Sequence, residues 1–390
     1  MATTRRPASC RSFGPASASC TGCNTSRTSA SRPCGPREVT PSARAIEAVA
    51  ARAQRQRSDS LNRWARVAGS HRAITADHWA RQFLVAGRIT LNFHPDRVCA
   101  ARSTVAASLL AEGRYRSQWV TGISNGGRSA VRGGERHRWE GQLFNDAYDS
   151  AVPGSVEYPV YGAFDLLHDP HGGSPRFGSS FVVLKRHVLG RTTMCVGDSH
   201  SDPRDVGTAG EPLGLLAGLA EQAAQGTLLG RSLDVNDLIS VLNGRLAPDR
   251  PARNLDWYIE AQVHGGVDLG TDVDAIVLDP SYFRSDIRTD LLRAADRYGF
   301  ALDWHNGSEL AVSEIPSDFR GATMPEVGRR VARPDAVIDA RSIGQAAARL
   351  DPGPPLPSGD PPESELQQLK YLWHTLLAYG HDAKVQQAAI

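Results

Sequence analysis

The middle of the chain alternates between short strand patterns and helical patterns, and this alternation restricts the possible folds more than any other feature. Hydrophobic and polar residues alternate over Arg88–His94 and stop at Pro95, which predicts a first strand. Similar patterns predict strands over 115–120, 160–166, 177–184, 192–196, 257–263, 273–278 and 300–304. Helical periodicity lies between them, over 104–111, 213–224, 234–242 and 287–298. Strands and helices in this irregular succession predict an α+β fold.

Composition changes at both ends of this region and divides the chain into segments. Residues 1–40 are rich in Ser, Arg, Pro and Thr and poor in aliphatic side chains, so we expect a disordered low-complexity leader. The expected organisation is this leader at 1–40, a helical N-terminal segment at 41–86, an α+β catalytic-like domain at 87–345, a Pro-rich linker at 346–363 and a C-terminal helix at 364–390. Leucines on one face of the last helix predict that it packs back on the domain.

The overall composition limits the class of protein. Hydrophobic residues make up 41% of the 390 positions, which is enough for a sizeable core. No stretch reaches the roughly 18 consecutive apolar residues that a membrane helix needs, and residues 8–36 lack the apolar centre of a secretory signal. We therefore expect a soluble cytoplasmic protein with no membrane partner. Cys20 and Cys23 form a pair, but no second pair follows at zinc-site spacing, so no metal site is predicted.

Charge is distributed unevenly along the chain. Residues 1–150 carry 23 arginines and ten acidic residues, whereas the net charge of the whole chain is only +2. Arginine offers a planar fork of donors that suits phosphate and carboxylate groups. The excess is typical of a GC-rich genome, but it would also favour an anionic ligand.

Several nucleotide and metal motifs are absent, and the remaining ones are weak. There is no G-x-G-x-x-G, no G-x-x-x-x-G-K-[ST] and no H-E-x-x-H, which argues against a dinucleotide-binding dehydrogenase, a P-loop enzyme and a zincin. Gly122–Gly126 matches the G-x-S-x-G of a hydrolase around Ser124, although no good helix start follows it. Two His/Asp clusters, His168–His171 and Asp198–His200, would allow a metal-dependent hydrolase if they converged.

Four distinctive stretches carry a family resemblance. They are Leu91–Arg97, Tyr115–Gly126, Pro175–Phe181 and Tyr258–Gly265, followed near the C-terminus by Leu369–His374. At these residues the chain resembles a bacterial family called domain of unknown function 3626, over roughly Pro41 to Tyr379. That family supplies no established activity.

The order of these stretches also resembles the layout of ADP-ribosyltransferases. In that layout a first-strand His or Arg, a middle-strand Ser or Tyr and a late-strand Glu surround NAD. The resemblance implies a split, mostly antiparallel sheet with flanking helices, NAD as co-substrate, and an unknown acceptor that is a protein, a nucleic acid or a small molecule. In this chain the late motif is Glu-Ala-Gln with the acid first, and no His-Gly-Thr follows the first strand.

The resemblance implies a set of site residues. Glu260 and His94 would be catalytic, because a fixed carboxylate stabilises the ribosyl cation that forms when the glycosidic bond of NAD breaks. The residues expected to bind NAD are Arg97, Tyr115, Arg116, Phe177 and Ser179; no metal is expected. Two alternatives remain open, namely a metal-dependent or serine hydrolase and a non-catalytic binding module of the same fold.

Overall fold

The helices of the protein begin and end at residues that cap them. The computed structural model describes residues 39–69, 75–99, 103–121, 130–149, 158–245, 255–350 and 365–383. Thr104, for example, accepts a hydrogen bond from the amide of Ala107, and Gly113 ends the same helix in the left-handed conformation with φ of 66°. The helices are α1 Pro41–Arg55, α2 Arg57–Val67, α3 Ala76–Ala86, α4 Val105–Glu112, α5 Gln118–Thr121, α6 Glu135–Phe144, α7 Leu213–Ala224, α8 Val235–Leu242, α9 Leu269–Asp272, α10 Asp286–Tyr298, α11 Met324–Val331, α12 Ala340–Arg349 and α13 Glu365–Tyr379.

The strands within the described residues form one large sheet and two small ones. They are β1 Arg88–Phe93, β2 Arg114–Tyr115, β3 Val160–Asp165, β4 Ser180–Leu184, β5 Thr192–Val196, β6 Val206–Thr208, β7 Ile259–Val263, β8 Val267–Asp268, β9 Val273–Leu278, β10 Ala301–Trp304, β11 Glu309–Ala311 and β12 Val337–Asp339. The large sheet has the order β10-β9-β4-β1-β3-β7-β5-β6, and only β9 and β10 run parallel. The predicted α+β fold with a mostly antiparallel sheet and flanking helices is thus confirmed. The described strands make this sheet continuous, where a split sheet was expected.

The two faces of the large sheet differ in chemistry because side chains alternate along each strand. Leu91, Val182 and Ile276 share one face, which is apolar and forms the main core with α2, α3, α7 and α8. The opposite face carries buried polar side chains such as Asn92 and Gln262. Burying polar groups is costly unless they are hydrogen-bonded, so this second face must be ordered by specific partners.

Two helices cover part of the polar face. Ala45 and Val49 of α1 and Phe144 of α6 form a small second core with Cys195 and Val206 of the sheet. Cys195 lies opposite Glu260 in the register of β5 and β7, so this core borders Glu260. The next strands of the polar face, β3 and β1, lie beneath a cavity.

One predicted strand was wrong. Residues 115–120 alternate in the sequence, but only Arg114–Tyr115 forms a strand, paired with β8. The amides of Val120 and Thr121 both donate to the Ser117 carbonyl, which closes a helical turn instead. Local backbone hydrogen bonds therefore override the alternation.

The C-terminal helix α13 packs on the domain, as its leucine stripe predicted. Its stripe residues Leu369, Leu372, Trp373, Leu376 and Leu377 are buried in the main core. The expected leader (residues 1–38 of it) and most of the expected linker (351–363) lie outside the described residues. Within the described residues, no helix combines the length and the apolar character that crossing a membrane requires.

Candidate functional site

A cavity of about 350 Å³ opens on the polar face of the sheet. The end of β1, the start of β3 and the start of β7 form its floor. Its walls come from α6, the segment after α4, the 3-10 turn Pro175–Phe177 and the 3-10 turn Ser199–Ser201. Volumes of this size are typical of small-molecule sites.

Glu260 is the carboxylate on the floor of this cavity. It lies within β7, opposite Ala163 of β3 and Cys195 of β5, and is only 6% exposed. The Gln262 side-chain amide donates to its Oε1 at 2.8 Å, and the Ser199 amide lies 3.4 Å from its Oε2. An interior strand and two hydrogen-bond donors therefore hold this carboxylate in one orientation.

A second carboxylate lies close to Glu260. The Tyr258 hydroxyl is 3.3 Å from Asp198 Oδ2 and 3.5 Å from Glu260 Oε2, so one donor serves both acids. Burial raises the pKa of Glu260 to about 7, and the charge of Asp198 raises it as well. Near neutral pH this glutamate is therefore close to its titration point, which is the condition for a group that changes charge during a reaction.

Arginine side chains dominate the charged lining of the cavity. Among the described lining residues there are five arginines, whereas Asp198 and Glu260 are the acids. Arg176 is paired with Asp256 at 2.9 Å and Arg116 with Glu112 at 2.8 Å. The complete set of lining arginines is Arg97, Arg114, Arg116, Arg136 and Arg176. Such an excess favours a ligand with more than one negative charge.

Two of these guanidinium groups have donors left over. No hydrogen bond or ion pair joins the Arg97 side chain to any residue that the structure describes, although Asp96 is its neighbour in sequence. Arg136 lies between the Trp139 and Tyr161 rings, 4.8 and 4.7 Å from their centroids, and its buried Nε has no partner. Because an unpaired buried donor is costly, both groups are suited to an anionic ligand.

His94 ends β1 at the cavity. Its ring meets the edge of Trp373 of α13 at 5.2 Å between centroids. Burial, reinforced by the charge of Arg97, lowers the pKa of His94 to about 3. The ring is therefore neutral at physiological pH, and it can exchange a hydrogen bond with a hydroxyl but cannot neutralise a phosphate.

A buried asparagine fixes the loop that carries Phe177. The Asn92 amide donates to the carbonyls of His171 and Gly178, and its Oδ1 accepts from the Ser174 amide. The Phe177 ring then stands edge-on against Tyr258, 5.8 Å away between centroids. Tyr115 of β2, which also lines the cavity, meets Phe93 edge-on at 5.9 Å. At least two aromatic rings, those of Phe177 and Tyr115, are thus available in the cavity lining.

The structure brings together six of the seven residues expected at the site. Glu260, His94, Arg97, Tyr115, Arg116 and Phe177 all line the cavity. Ser179 does not: it is buried, its hydroxyl lies 3.5 Å from the Tyr282 hydroxyl, and its carbonyl accepts from His305 Nε2 at 2.8 Å. Ser179 is therefore not among the residues that line the cavity, and its contacts lie with Tyr282 and His305 instead.

The two His/Asp clusters do not converge on a metal site. His171 packs against His305 with 4.6 Å between ring centroids, and His168 is exposed, whereas Asp198 and His200 line the cavity. In the part of the chain that the structure describes, no group of three His, Cys, Asp or Glu side chains could hold a metal ion. Ser124, the alternative nucleophile, lies outside the described residues.

Three residues that line the cavity were not expected there from the sequence. Asp198 was considered only as a metal ligand, Tyr258 only as part of a family motif, and Arg136 not at all. The spacing Tyr-x-Glu places Tyr258 and Glu260 on one face of a strand, and this signal could have linked them. No local signal in the sequence relates Arg136 to Glu260, since α6 and β7 are far apart along the chain.

These features define an α+β protein with an arginine-rich cavity over a buried carboxylate. Residues 88–379 match the profile of the family described as Protein of unknown function (DUF3626), and the chain belongs to that family, as its sequence motifs predicted. It is also similar to the Gene 2 protein of Mycobacterium phage L5, with 28% identity over 214 residues that cover 54% of this chain and 76% of that protein. Helices α1 to α3 precede the family match, and all the strands that the structure describes lie within it.

Proposed function

We propose that this protein is an NAD-dependent ADP-ribosyltransferase that modifies a macromolecular or small acceptor. The observation that carries the proposal is Glu260, a buried carboxylate on the floor of a cavity that His94, Arg97 and Arg136 also line. NAD supplies an ADP-ribosyl group and nicotinamide as a neutral leaving group. NAD is an intracellular metabolite, so the reaction would take place in the cytoplasm.

The charges of the cavity suit the pyrophosphate of NAD. Arg97 has no partner among the described residues, and the buried Nε of Arg136 also lacks one. Guanidinium groups bind phosphate oxygens through paired charge-assisted hydrogen bonds. The neutral ring of His94 is suited to a ribose hydroxyl, and the Phe177 and Tyr115 rings offer faces for an aromatic base. These side chains together match an anionic dinucleotide.

Glu260 provides the electrostatic part of the catalysis. When ionised, it stabilises positive charge on a ribose whose bond to nicotinamide is breaking. Its pKa of about 7 means that this form is present at and above neutral pH. Gln262 and the Ser199 amide fix the carboxylate, so it does not have to reorient as charge develops.

The test is nicotinamide release from NAD, with and without cell lysate as a source of acceptor. Glu260→Gln keeps the shape and removes the charge, so turnover should fall roughly 100- to 1000-fold. NAD affinity should change much less, because the carboxylate acts mainly in the transition state. Glu309→Gln is the matched control, since Glu309 is a partly buried strand glutamate outside the cavity lining.

Three outcomes separate the proposal from its rivals. Wild-type protein that binds no NAD and releases no nicotinamide would refute the proposal. Protein that binds NAD tightly but releases no nicotinamide under any condition is a binding module of the same fold. A Glu260→Gln variant as active as the wild type would contradict the catalytic role of Glu260 but not the transferase activity itself.

A further inference from the structure

A row of buried polar side chains extends from Glu260 toward α1, behind the cavity. Gln262 of β7 and His264, the residue that follows the strand, come at alternate positions after Glu260, so all three point to the same face of the sheet. Thr193 of β5 is the register partner of Gln262. The hydrogen bonds along the row are Gln262 Nε2 to Glu260 Oε1 at 2.8 Å, Thr193 Oγ1 to Gln262 Oε1 at 2.7 Å, Thr193 Oγ1 with His264 Nε2 at 3.0 Å and His264 Nδ1 with the Tyr148 hydroxyl at 2.7 Å.

The row is buried, so bulk solvent cannot replace its hydrogen bonds. Gln262, His264 and Thr193 are each 0% exposed. A polar group at such a position keeps its own partner or remains unsatisfied, which is costly. Every partner in the row therefore restricts its neighbour to one orientation.

These contacts determine where each proton lies. The Gln262 amide points its nitrogen at Glu260, so its oxygen accepts the Thr193 hydroxyl proton. Thr193 has then used its only proton and accepts from His264 Nε2. His264 thus carries its proton on Nε2, and its Nδ1 accepts from the Tyr148 hydroxyl, for which Nδ1 at 2.7 Å is a nearer partner than Ser42 Oγ at 3.4 Å. Burial lowers the pKa of His264 to about 3, so the ring is neutral, as this arrangement requires.

We propose that Gln262 is a positioning residue for Glu260, and that Thr193, His264 and Tyr148 lock its amide with the nitrogen facing the carboxylate. Every donor in the row points toward Glu260. Donors aimed at a carboxylate stabilise its ionised form. The proposal rests on the proposed function only in the catalytic use of Glu260, because the hydrogen-bonded row exists whatever reaction the cavity performs.

Other charged and titratable groups also face Glu260. Asp198, from the turn after β5, raises the pKa of Glu260, and Arg136 of α6 lowers it. The remaining neighbours are Tyr258 of the segment before β7, Tyr161 of β3 and Cys195 of β5, each with a pKa that burial raises first and the charge of Glu260 raises further. The three side chains stay protonated through the pH range where Glu260 titrates, so their own ionisation does not contribute to the measured titration of Glu260.

The experiment measures the titration of Glu260 in full-length protein labelled with ¹³C at the glutamate side-chain carboxyl. Glu260→Gln identifies the signal by its disappearance. Gln262→Met removes the donor while keeping a similar shape, so the pKa of Glu260 should rise by about one unit or more. Thr193→Val removes the group that orients the amide, so it should shift the pKa in the same direction by less.

Thr192→Val is the matched control. Thr192 is the adjacent buried threonine of β5, but it faces the other side of the sheet and donates to the Val188 carbonyl. Its replacement should leave the Glu260 titration unchanged. An unchanged titration in Gln262→Met, or an equal shift in Thr192→Val and Thr193→Val, would overturn the proposal.

A measurement on the wild type covers the case in which these variants fold poorly. ¹⁵N chemical shifts of the His264 ring should show a proton on Nε2 and none on Nδ1 between pH 5 and pH 9, about two units above the ring's pKa at the lower end. The reverse tautomer would overturn the proposed locking. Neither measurement uses NAD, so a protein without transferase activity could still support the positioning role, and an active enzyme could still refute it.

Discussion

Asp198 and Glu260 lie on either side of one phenol, with the Tyr258 hydroxyl 3.3 Å from the first carboxylate and 3.5 Å from the second. The hydroxyl has one proton, so it can donate to one carboxylate at a time. Asp198 lies on the turn that Ser199 continues, whereas Glu260 is held within the sheet. The charge of the more exposed acid therefore affects the ionisation of the buried one.

This relationship predicts the effect of Asp198→Asn. Removing the Asp198 charge removes one of the causes that raise the pKa of Glu260, so Glu260 should ionise at a lower pH. The rising limb of the pH profile for nicotinamide release should then move to lower pH, whatever happens to the maximal rate. The glutamate ¹³C titration should move with it. A midpoint that stays fixed or moves upward would contradict the coupling.

Glu260 should also make the stability of the protein depend on pH. The pKa of Glu260 is about 7 in the folded protein and ordinarily 4.5. Between these values the folded state binds more protons than the unfolded state, so the free energy of unfolding falls as pH rises from about 4.5 to 7. The Glu260→Gln variant has no carboxyl group at this position, so its free energy of unfolding does not fall in this way as pH rises. Its melting temperature should therefore exceed that of the wild type by an amount that grows between pH 5 and pH 8.

The test must use the difference in melting temperature between the wild type and the variant, because Glu260 is not the only carboxyl group whose pKa burial raises. Burial also raises the pKa of Asp96 to about 7, so wild type and variant share that contribution. Calorimetry of both proteins at four pH values isolates Glu260, with Glu309→Gln as the control. A difference in melting temperature that is the same at every pH would show that Glu260 titrates normally.

The parts of the fold that depend on local pattern could be predicted from the sequence. The bounds of β5, α7 and β9 are those that the alternation and helical periodicity gave. β5 is buried over Thr192–Cys195 and α7 at nine of its twelve residues, so each is a mostly apolar run bounded by polar or turn residues, which the sequence shows directly. The predicted convergence of His94 and Glu260 on one cavity depended instead on the family resemblance, since no local pattern relates them.

Helix α12 shows why other parts could not be predicted. It contains Gly344, which lowers helix propensity and contributes to a weak pattern. A Cβ at that position would lie only 1.6 Å from Asp96 Oδ2, so the glycine allows the loop after β1 to approach the helix. The place of Ser179 outside the cavity lining could not be predicted either, because it depends on contacts with Tyr282 and His305, which are more than 100 residues away along the chain.

Arg97→Met should weaken ligand binding without destabilising the fold. The Arg97 guanidinium has no described partner, so its removal breaks no protein contact and relieves an unpaired partly buried charge. A hydrogen bond to a charged group contributes roughly 1.5–3 kcal/mol, so affinity for NAD and for ADP-ribose should fall about tenfold or more. Isothermal titration calorimetry measures the affinity for NAD and ADP-ribose, and thermal unfolding measures the stability of the variant. Unchanged affinity in this variant would show that Arg97 does not contact the ligand.

Arg63→Met is the structural counterpart of that variant. Arg63 of α2 is buried, and it pairs with Asp205, the residue before β6, at 2.6 Å and with Glu221 of α7 at 2.8 Å. Its replacement should cost on the order of 3 kcal/mol of unfolding free energy, because it removes the main partner of a buried carboxylate. Ligand affinity measured below the melting temperature should not change. Comparing the two variants thus distinguishes a guanidinium group that binds the ligand, Arg97, from one that stabilises the fold, Arg63.

Trp373 should connect the C-terminal helix to the cavity. Its indole nitrogen donates to the Pro175 carbonyl at 3.0 Å, and its ring contacts His94, so one side chain of α13 supports two walls of the site. Trp373→Phe keeps most of the packing and removes the hydrogen bond, which should cost about 1 kcal/mol of stability. Because the Pro175–Phe177 turn and His94 lose a common support, the KM for NAD should rise more than kcat falls.

Leu292→Ala, an exposed position on α10, is the control and should change neither quantity. A Trp373→Phe protein with wild-type stability and an unchanged KM would show that α13 packs on the domain without shaping the cavity.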